Sequence, residues 1–181
     1  MLLLLLGYAG AGKDEFANWL VKNKGFVRMA FADELKQELS DKYSIPLEYF
    51  HNRELKEKPF PEFLLKRIHD LLPMSSTCRT SQITPRMLCI EHGKYRRSQD
   101  INYWVKKIKS KIKDDMNVVI SDCGYHNEQE QLRDGIKIWI ERSNLKIIED
   151  GRDIRKLDCE IVLSNHLDRF DGEYLYKQLM N

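Results

Sequence analysis

The stretch Leu2-Leu3-Leu4-Leu5-Leu6-Gly7-Tyr8-Ala9-Gly10-Ala11-Gly12-Lys13-Asp14 decides how this chain reads. Five consecutive leucines without polar alternation predict a strand buried on both faces, as strands of a parallel sheet are. The run has no charged flank and is far too short for a signal segment or a membrane-spanning helix. Gly7 to Lys13 then fits G-x-x-x-x-G-K, a loop whose backbone N–H groups turn inward around phosphate oxygens while the next helix aims its positive end at the same anion. Phe16, Trp19 and Leu20 recur at helical spacing until Lys24-Gly25 supplies a basic last turn and a C-cap glycine. The pattern alone would arise by chance in about one chain of this length in twenty. Its place between an apolar strand and a helix is what gives it meaning. Gly7, Ala9, Gly10, Ala11, Gly12, Lys13 and Asp14 are therefore the expected ATP-binding residues, with Lys13 reaching the β- and γ-phosphates. Asp14 stands where Ser or Thr is usual and would bring a carboxylate to Mg²⁺, directly or through a water.

Outward from this loop, Phe26 to Met29 predicts a second strand, and Asp33 is the expected cap of a helix through about Tyr43. Pro46, Pro59, Pro61 and Pro73 break up the region from Ser44 to Thr84, where a helix from Glu62 to Leu72 and a polar loop from Met74 to Gln82 are expected. Thr84-Pro85 opens a helix towards Gly93. A longer amphipathic helix should carry Ile101, Trp104, Val105, Ile108 and Ile112 on one face, with Lys106 to Lys113 supplying a solvated face rather than a nucleic-acid surface. Asn117 to Asp122 reads as a buried strand, His126 to Asp134 as a helix closed by Gly135, and Ile136 to Ile140 as another strand. Glu160 to Leu163 is the last strand and Glu173 to Met180 the terminal helix. Strands alternating with helices predict a three-layer α/β fold with a central parallel sheet. The expected organisation is one domain over 1–181, with its core in 1–32 and 114–181, a helical insert at about 33–113 where an acceptor would bind, and a lid at about 143–159.

Of 181 residues 42% are hydrophobic and 32% charged, a balance that suits one globular core and excludes a disordered chain. The same balance excludes a membrane protein, and the formal charge of +2 gives no overall field for a nucleic-acid polymer. Cys78, Cys89, Cys123 and Cys159 fall singly, which predicts reduced thiols in a cytoplasmic protein rather than a zinc site or a disulfide framework. The five histidines show no metal spacing.

Asp122 ends its strand as a Walker-B aspartate does, which makes it the second Mg²⁺ candidate. The guanine signature Asn-Lys-x-Asp is absent. Arginine forks grip phosphate bidentately, so Arg86, Arg96 and Arg97 are candidates for an acceptor phosphate. Arg142, Arg152 and Arg155 stand where a lid would bring them to the transferring group, joining Lys13 and Asp122 as candidate catalytic residues. Phe31, Glu91, Tyr95 and Trp104 could form a base pocket.

Four segments carry a resemblance: Gly7 to Asp14; Phe31-Ala32-Asp33-Glu34-Leu35-Lys36; Thr84-Pro85-Arg86 running on to Trp104-Val105; and Val119-Ile120-Ser121-Asp122 with Asn127-Glu128. In these the chain resembles the bacteriophage-type deoxynucleoside monophosphate kinases of the P-loop kinase superfamily. The resemblance implies Mg²⁺-dependent transfer of the ATP γ-phosphoryl group to a deoxynucleoside 5′-monophosphate, in the cytoplasm, or in the host cytoplasm for a phage-encoded chain. It adds Asp33, Lys36, Asn127 and Glu128 to the substrate-binding set. Dimers occur among similar kinases, so a homodimer belongs to the same expectation. Two positions depart from the family pattern: Gly124 stands where an arginine is usual, and Glu34 where a proline is. Two competing readings keep the loop and change the rest. One is a kinase for another phosphorylated metabolite such as dephospho-coenzyme A, the other a non-catalytic nucleotide sensor.

Overall fold

A computed structural model describes residues 1–71, 82–143, 145, 155–165 and 170–180. The expected loop from Met74, the lid residues 144 and 146–154 with Arg152, and Cys78 lie outside the described residues, apart from Gln82 at the end of that loop.

The chain is α/β, with a five-stranded sheet in the order β2-β3-β1-β4-β5 and every pairing parallel. The strands are β1 (Leu2–Leu6), β2 (Val27–Met29), β3 (Val118–Ile120), β4 (Ile136–Glu141) and β5 (Ile161–Ser164). The helices are α1 (Lys13–Lys24), α2 (Phe31–Tyr43), α3 (Glu48–His51), α4 (Glu62–Leu71), α5 (Pro85–Gln99), α6 (Tyr103–Lys109), α7 (His126–Gln131) and α8 (Gly172–Met180). The all-leucine strand takes the middle place, and Leu3 to Leu6 are fully buried. Each such side chain removed from water contributes about 1.5–3 kcal/mol.

Contacts divide the chain into two compact units, Met1–Phe31 with Val105–Asn181, and Ala32–Trp104. The first holds the whole sheet. Its core joins Leu3 and Leu5 to Phe16, Ala17 and Leu20 of α1, Val119, Ile138 and Ile140 of the neighbouring strands, and Leu175 of α8. The second is helical and has its own core of Leu39, Tyr43, Phe50, Phe60, Leu64, Ile68, Ile83 and Leu88.

Several elements differ from their expected form, among them α7, which ends at Gln131 rather than running to Asp134. Helix α2 begins at Phe31, so Asp33 lies inside its first turn and is not its cap. Helix α5 runs through Gly93 to Gln99, because that glycine is a packing position: a Cβ there would lie 3.0 Å from Leu35 Cδ1. The amphipathic helix shrinks to α6, leaving Ile101 in a preceding turn and 59% exposed, while Trp104, Val105 and Ile108 keep the buried stripe. A short helix, α3, appears in the Pro-interrupted region where none was expected.

Gly7 ends β1 at a φ of 134° with Ile140 of β4 so near that a Cβ would overlap its carbonyl oxygen. Gly7→Ala is therefore expected to cost roughly 2–3 kcal/mol, combining a strained φ with a steric clash. Urea unfolding measures this, and an unchanged midpoint would show that the loop adjusts freely.

Candidate functional site

Strand order decides where a ligand meets the sheet-bearing unit. The chain leaves β1 towards the β2 edge, but leaves β3 across β1 towards β4. Right-handed crossovers in opposite directions send the two connections to opposite faces of the sheet, and the carboxyl ends of β1 and β3 flank the crevice between them. The first of these ends carries Gly7 to Asp14, the second Asp122.

The loop has the backbone its glycines allow. Gly7, Gly10 and Gly12 all have positive φ, and Gly12 is the left-handed N-cap of α1. A Cβ on Gly12 would lie 2.6 Å from Asn165 Nδ2. The Lys13 ammonium folds back across the loop, donating to the carbonyls of Gly7 at 2.7 Å and Tyr8 at 2.9 Å. It thereby stands at the mouth of a turn that a phosphate oxygen could share with it. Asn165, buried just beyond β5, donates from Nδ2 to the Ala11 carbonyl at 2.9 Å, and its own N–H bonds Glu141 at 2.8 Å. This side chain ties the loop to the far half of the sheet.

Asp14 lies in the first turn of α1, 71% exposed, where a carboxylate favours the positive helix end. Arg28 of β2 reaches it at 3.2 Å, which sets a guanidinium beside the loop. So exposed a pair contributes about 0–1 kcal/mol to stability. Asp122 Oδ1 accepts the backbone N–H of Phe31 at 2.9 Å, so this carboxylate also anchors the first residue of α2. As hard oxygen donors, Asp14 and Asp122 suit Mg²⁺, an ion held by one or two carboxylates and completed by phosphate oxygens and water. Among the described residues no group of three or more His, Cys, Asp or Glu could hold a metal by itself.

Glu128 is buried, and one oxygen accepts the N–H groups of Gly124 and Tyr125, each at 2.9 Å. Its geometry orders the turn after β3. Gly124, standing where the resemblance expects an arginine, is buried in that turn. Asn127 is half-buried at the start of α7, and Arg142 half-buried after β4. Arg155 is exposed and bonds Asp158 at 2.9 Å. It lines a cavity of about 570 Å³ with His126, Gln129, Arg133 and Lys137, none of them a residue of the Gly7 to Asp14 loop.

In the helical unit the candidate acceptor residues separate by their partners. Arg86 bonds Glu57 at 2.7 Å with both side chains more than half exposed, and Glu91 pairs with Lys94 at 3.2 Å on the surface. Asp33 and Lys36 pair with each other at 3.4 Å. Phe31, in the sheet-bearing unit, and Trp104, in the helical one, are buried, and Tyr95 is half exposed. The Trp104 ring meets those of Tyr103 and His92 edge-on. Arg97 lies along α5 over Gly93, whose missing Cβ would sit 3.2 Å from its Nη1.

Arg96 stands apart. Its Nε donates to Glu38 Oε1 at 2.6 Å, His92 Nε2 bonds the same oxygen at 2.8 Å, and the Tyr103 hydroxyl donates to Oε2 at 2.6 Å. Burial holds the His92 pKa below its ordinary value of 6.5, while the bond to Glu38 pulls it up; loss of hydration is the larger effect. Burial thus favours the neutral ring, although the contact of Nε2 with Glu38 has the distance of an ion pair. Burial also pushes the Cys89 thiol up to about 12 and the Cys159 thiol up to about 11, and raises the Cys123 thiol well above its ordinary value, with Glu128 and Asp122 adding to it. Thiols held protonated in this way are poor nucleophiles.

Arg28, Glu38, His92, Tyr103 and Asn165 escaped sequence reading. Each is an ordinary polar residue in a helix, a turn or a strand end, and no motif or spacing marks it. A scan against models of known protein families finds no match for this chain, and a search of curated proteins finds none either.

The depressed His92 pKa has a consequence for stability. Below 6.5 the unfolded chain binds a proton that the folded one resists, so this contribution is fully present above that pH and is lost as pH falls through it. The urea midpoint is expected to fall between pH 7.5 and about 5.5 more steeply for the native protein than for His92→Gln. An equal or shallower slope for the native protein would mean that the Glu38 bond outweighs burial.

Proposed function

We propose that this chain is a P-loop kinase that transfers the γ-phosphoryl group of ATP to a nucleoside 5′-monophosphate, with deoxynucleotides preferred. One observation carries the reading: a G-x-x-x-x-G-K loop at the carboxyl end of the central strand, with Lys13 folded over it and Asp122 at the end of the adjacent strand. Backbone N–H groups and the positive end of α1 then face the β- and γ-phosphates, and Lys13 exchanges its carbonyl partners for their oxygens. Deoxynucleotide preference rests on the sequence resemblance alone, and the acceptor roles of Arg86, Arg96 and Arg97 on the fit of an arginine fork to phosphate.

In the proposed reaction an oxygen of the acceptor phosphate attacks the γ-phosphorus, the bond to the β–γ bridging oxygen breaks, and ADP leaves with that electron pair. The acceptor phosphate, with a second pKa near ~6, is already mostly a dianion at neutral pH, so no general base is required. Catalysis is left to positioning and to cations that meet the charge on the transferring group. Lys13 provides one such cation, and lid arginines among Arg142, Arg152 and Arg155 would add to it on closure. Bound Mg²⁺ would screen the phosphate oxygens, with Asp122 and Asp14 as the carboxylates that would hold it.

The test is Mg-ATP-dependent transfer against all ribo- and deoxynucleoside monophosphates, with dephospho-coenzyme A alongside. Turnover confined to one or a few deoxynucleotides is expected; turnover with dephospho-coenzyme A alone, or ATP binding without any transfer, would overturn the reading. In the active protein Lys13→Ala should lower kcat by several orders of magnitude with the fold intact, because it removes charge stabilisation realised in the transition state. A folded Lys13→Ala protein with near-normal turnover would take that role away from Lys13.

A further inference from the structure

We infer that Glu38, His92 and Tyr103 are positioning residues that hold Arg96 as a preoriented guanidinium for a phosphate monoester, an inference that rests on the acceptor reading above. The argument lies within the helical unit. Glu38 is nearly buried, its side chain 12% exposed, whereas that of Arg96 is 32% exposed. Carboxylate inside and guanidinium reaching outward is the arrangement of a support and the group it supports.

The Nε edge of Arg96 is fixed on Glu38 Oε1 at 2.6 Å, and the Tyr103 ring covers one guanidinium face with its centroid 4.7 Å from Cζ. Tyr103 acts twice, since its hydroxyl also donates to Glu38 Oε2 at 2.6 Å. His92 donates to Oε1 at 2.8 Å, and Trp104 braces both rings edge-on. Among the described residues Glu38 is the only hydrogen-bond partner of the Arg96 guanidinium. The terminal nitrogens Nη1 and Nη2 are therefore available as a planar two-donor fork, the geometry that grips a phosphate bidentately.

A purely structural reading fits less well. Basic residues in the last turn of α5 complement the helix dipole, but that requires no buried carboxylate. An ion pair taken out of water is weak stabilisation compared with apolar packing. Its benefit is orientation, because an arginine already ordered loses little freedom when a ligand binds. Arg86 and Arg155, paired with exposed Glu57 and Asp158, have no such support.

Calorimetric binding of nucleoside monophosphates to the full chain tests this directly, alongside the transfer assay. Arg96→Ala and Glu38→Gln should each weaken monophosphate binding about tenfold or more while ATP binding changes less than about twofold, and Glu38→Gln should add nothing in the Arg96→Ala background. Tyr103→Phe keeps the ring and removes one hydrogen bond, so it should give a smaller loss of the same kind, and it serves as the readout if Glu38→Gln fails to fold. Monophosphate affinity unchanged in a folded Glu38→Gln or Tyr103→Phe protein, or effects of Glu38→Gln and Arg96→Ala that simply add, would overturn the inference and leave the kinase reading standing. Monophosphate binding without transfer would overturn the kinase reading and leave the inference to be decided by the variants. A native protein that binds no monophosphate would overturn both.

Discussion

The burial of β1 on both faces is the constraint from which the rest of the sheet-bearing unit follows. A strand with no polar side to offer water calls for neighbours along both edges and cover on both faces; β3 and β4 flank β1, and α1 and α8 cover its Leu3 and Leu5 face. Once the strand is central, its carboxyl end stands beside that of β3, whose connection leaves in the opposite direction. The chain must then turn sharply at Gly7, close against Ile140, and re-form a helix at Gly12 within a few residues. The same turn that lets β1 stay buried leads straight into the N-terminus of α1.

Polar contacts around this turn fix its architecture. Lys13 spans the loop, Asn165 fastens Ala11 to the end of β5, and Asp122 secures the first residue of α2 while standing at the candidate phosphate site. Glu128 does the corresponding work for the turn after β3. Such groups are expensive to leave unpaired in a buried setting, so their bonds define one loop conformation rather than many. For the proposed transfer reaction, in which little covalent work is left to the protein, a fixed set of donors is most of what catalysis requires.

The helical unit shows how similar residues come to differ. Arg86, Arg96 and Arg97 read alike in the sequence as arginines suited to a phosphate, yet Arg86 is spent on an exposed glutamate while Arg96 is held by a nearly buried one under an aromatic ring. Glu38 lies 58 residues from Arg96 and 65 from Tyr103 along the chain. Only the packing of α2 against α5 and the start of α6 brings the three together.

Local patterns were enough for the strands, the phosphate-type loop and most helices, because each depends on residues within a few positions: the leucine run, the glycine spacing, Gly25 as a left-handed cap, Pro85 after Thr84. They misplaced what neighbours decide. Gly93 reads as a helix end in one dimension and proves to be a close-packing position once Leu35 lies against it. Ile101 reads as part of an apolar stripe and lies exposed because its helix begins two residues later. By itself, then, the sequence determined the class of fold and the loop at the end of β1, through propensities and periodicities that act over a turn or a strand. The strand order, the Asn165 tether and the Glu38-centred hold on Arg96 were decided by tertiary structure, since each depends on hydrogen bonds or burial between segments that meet only when the chain has folded.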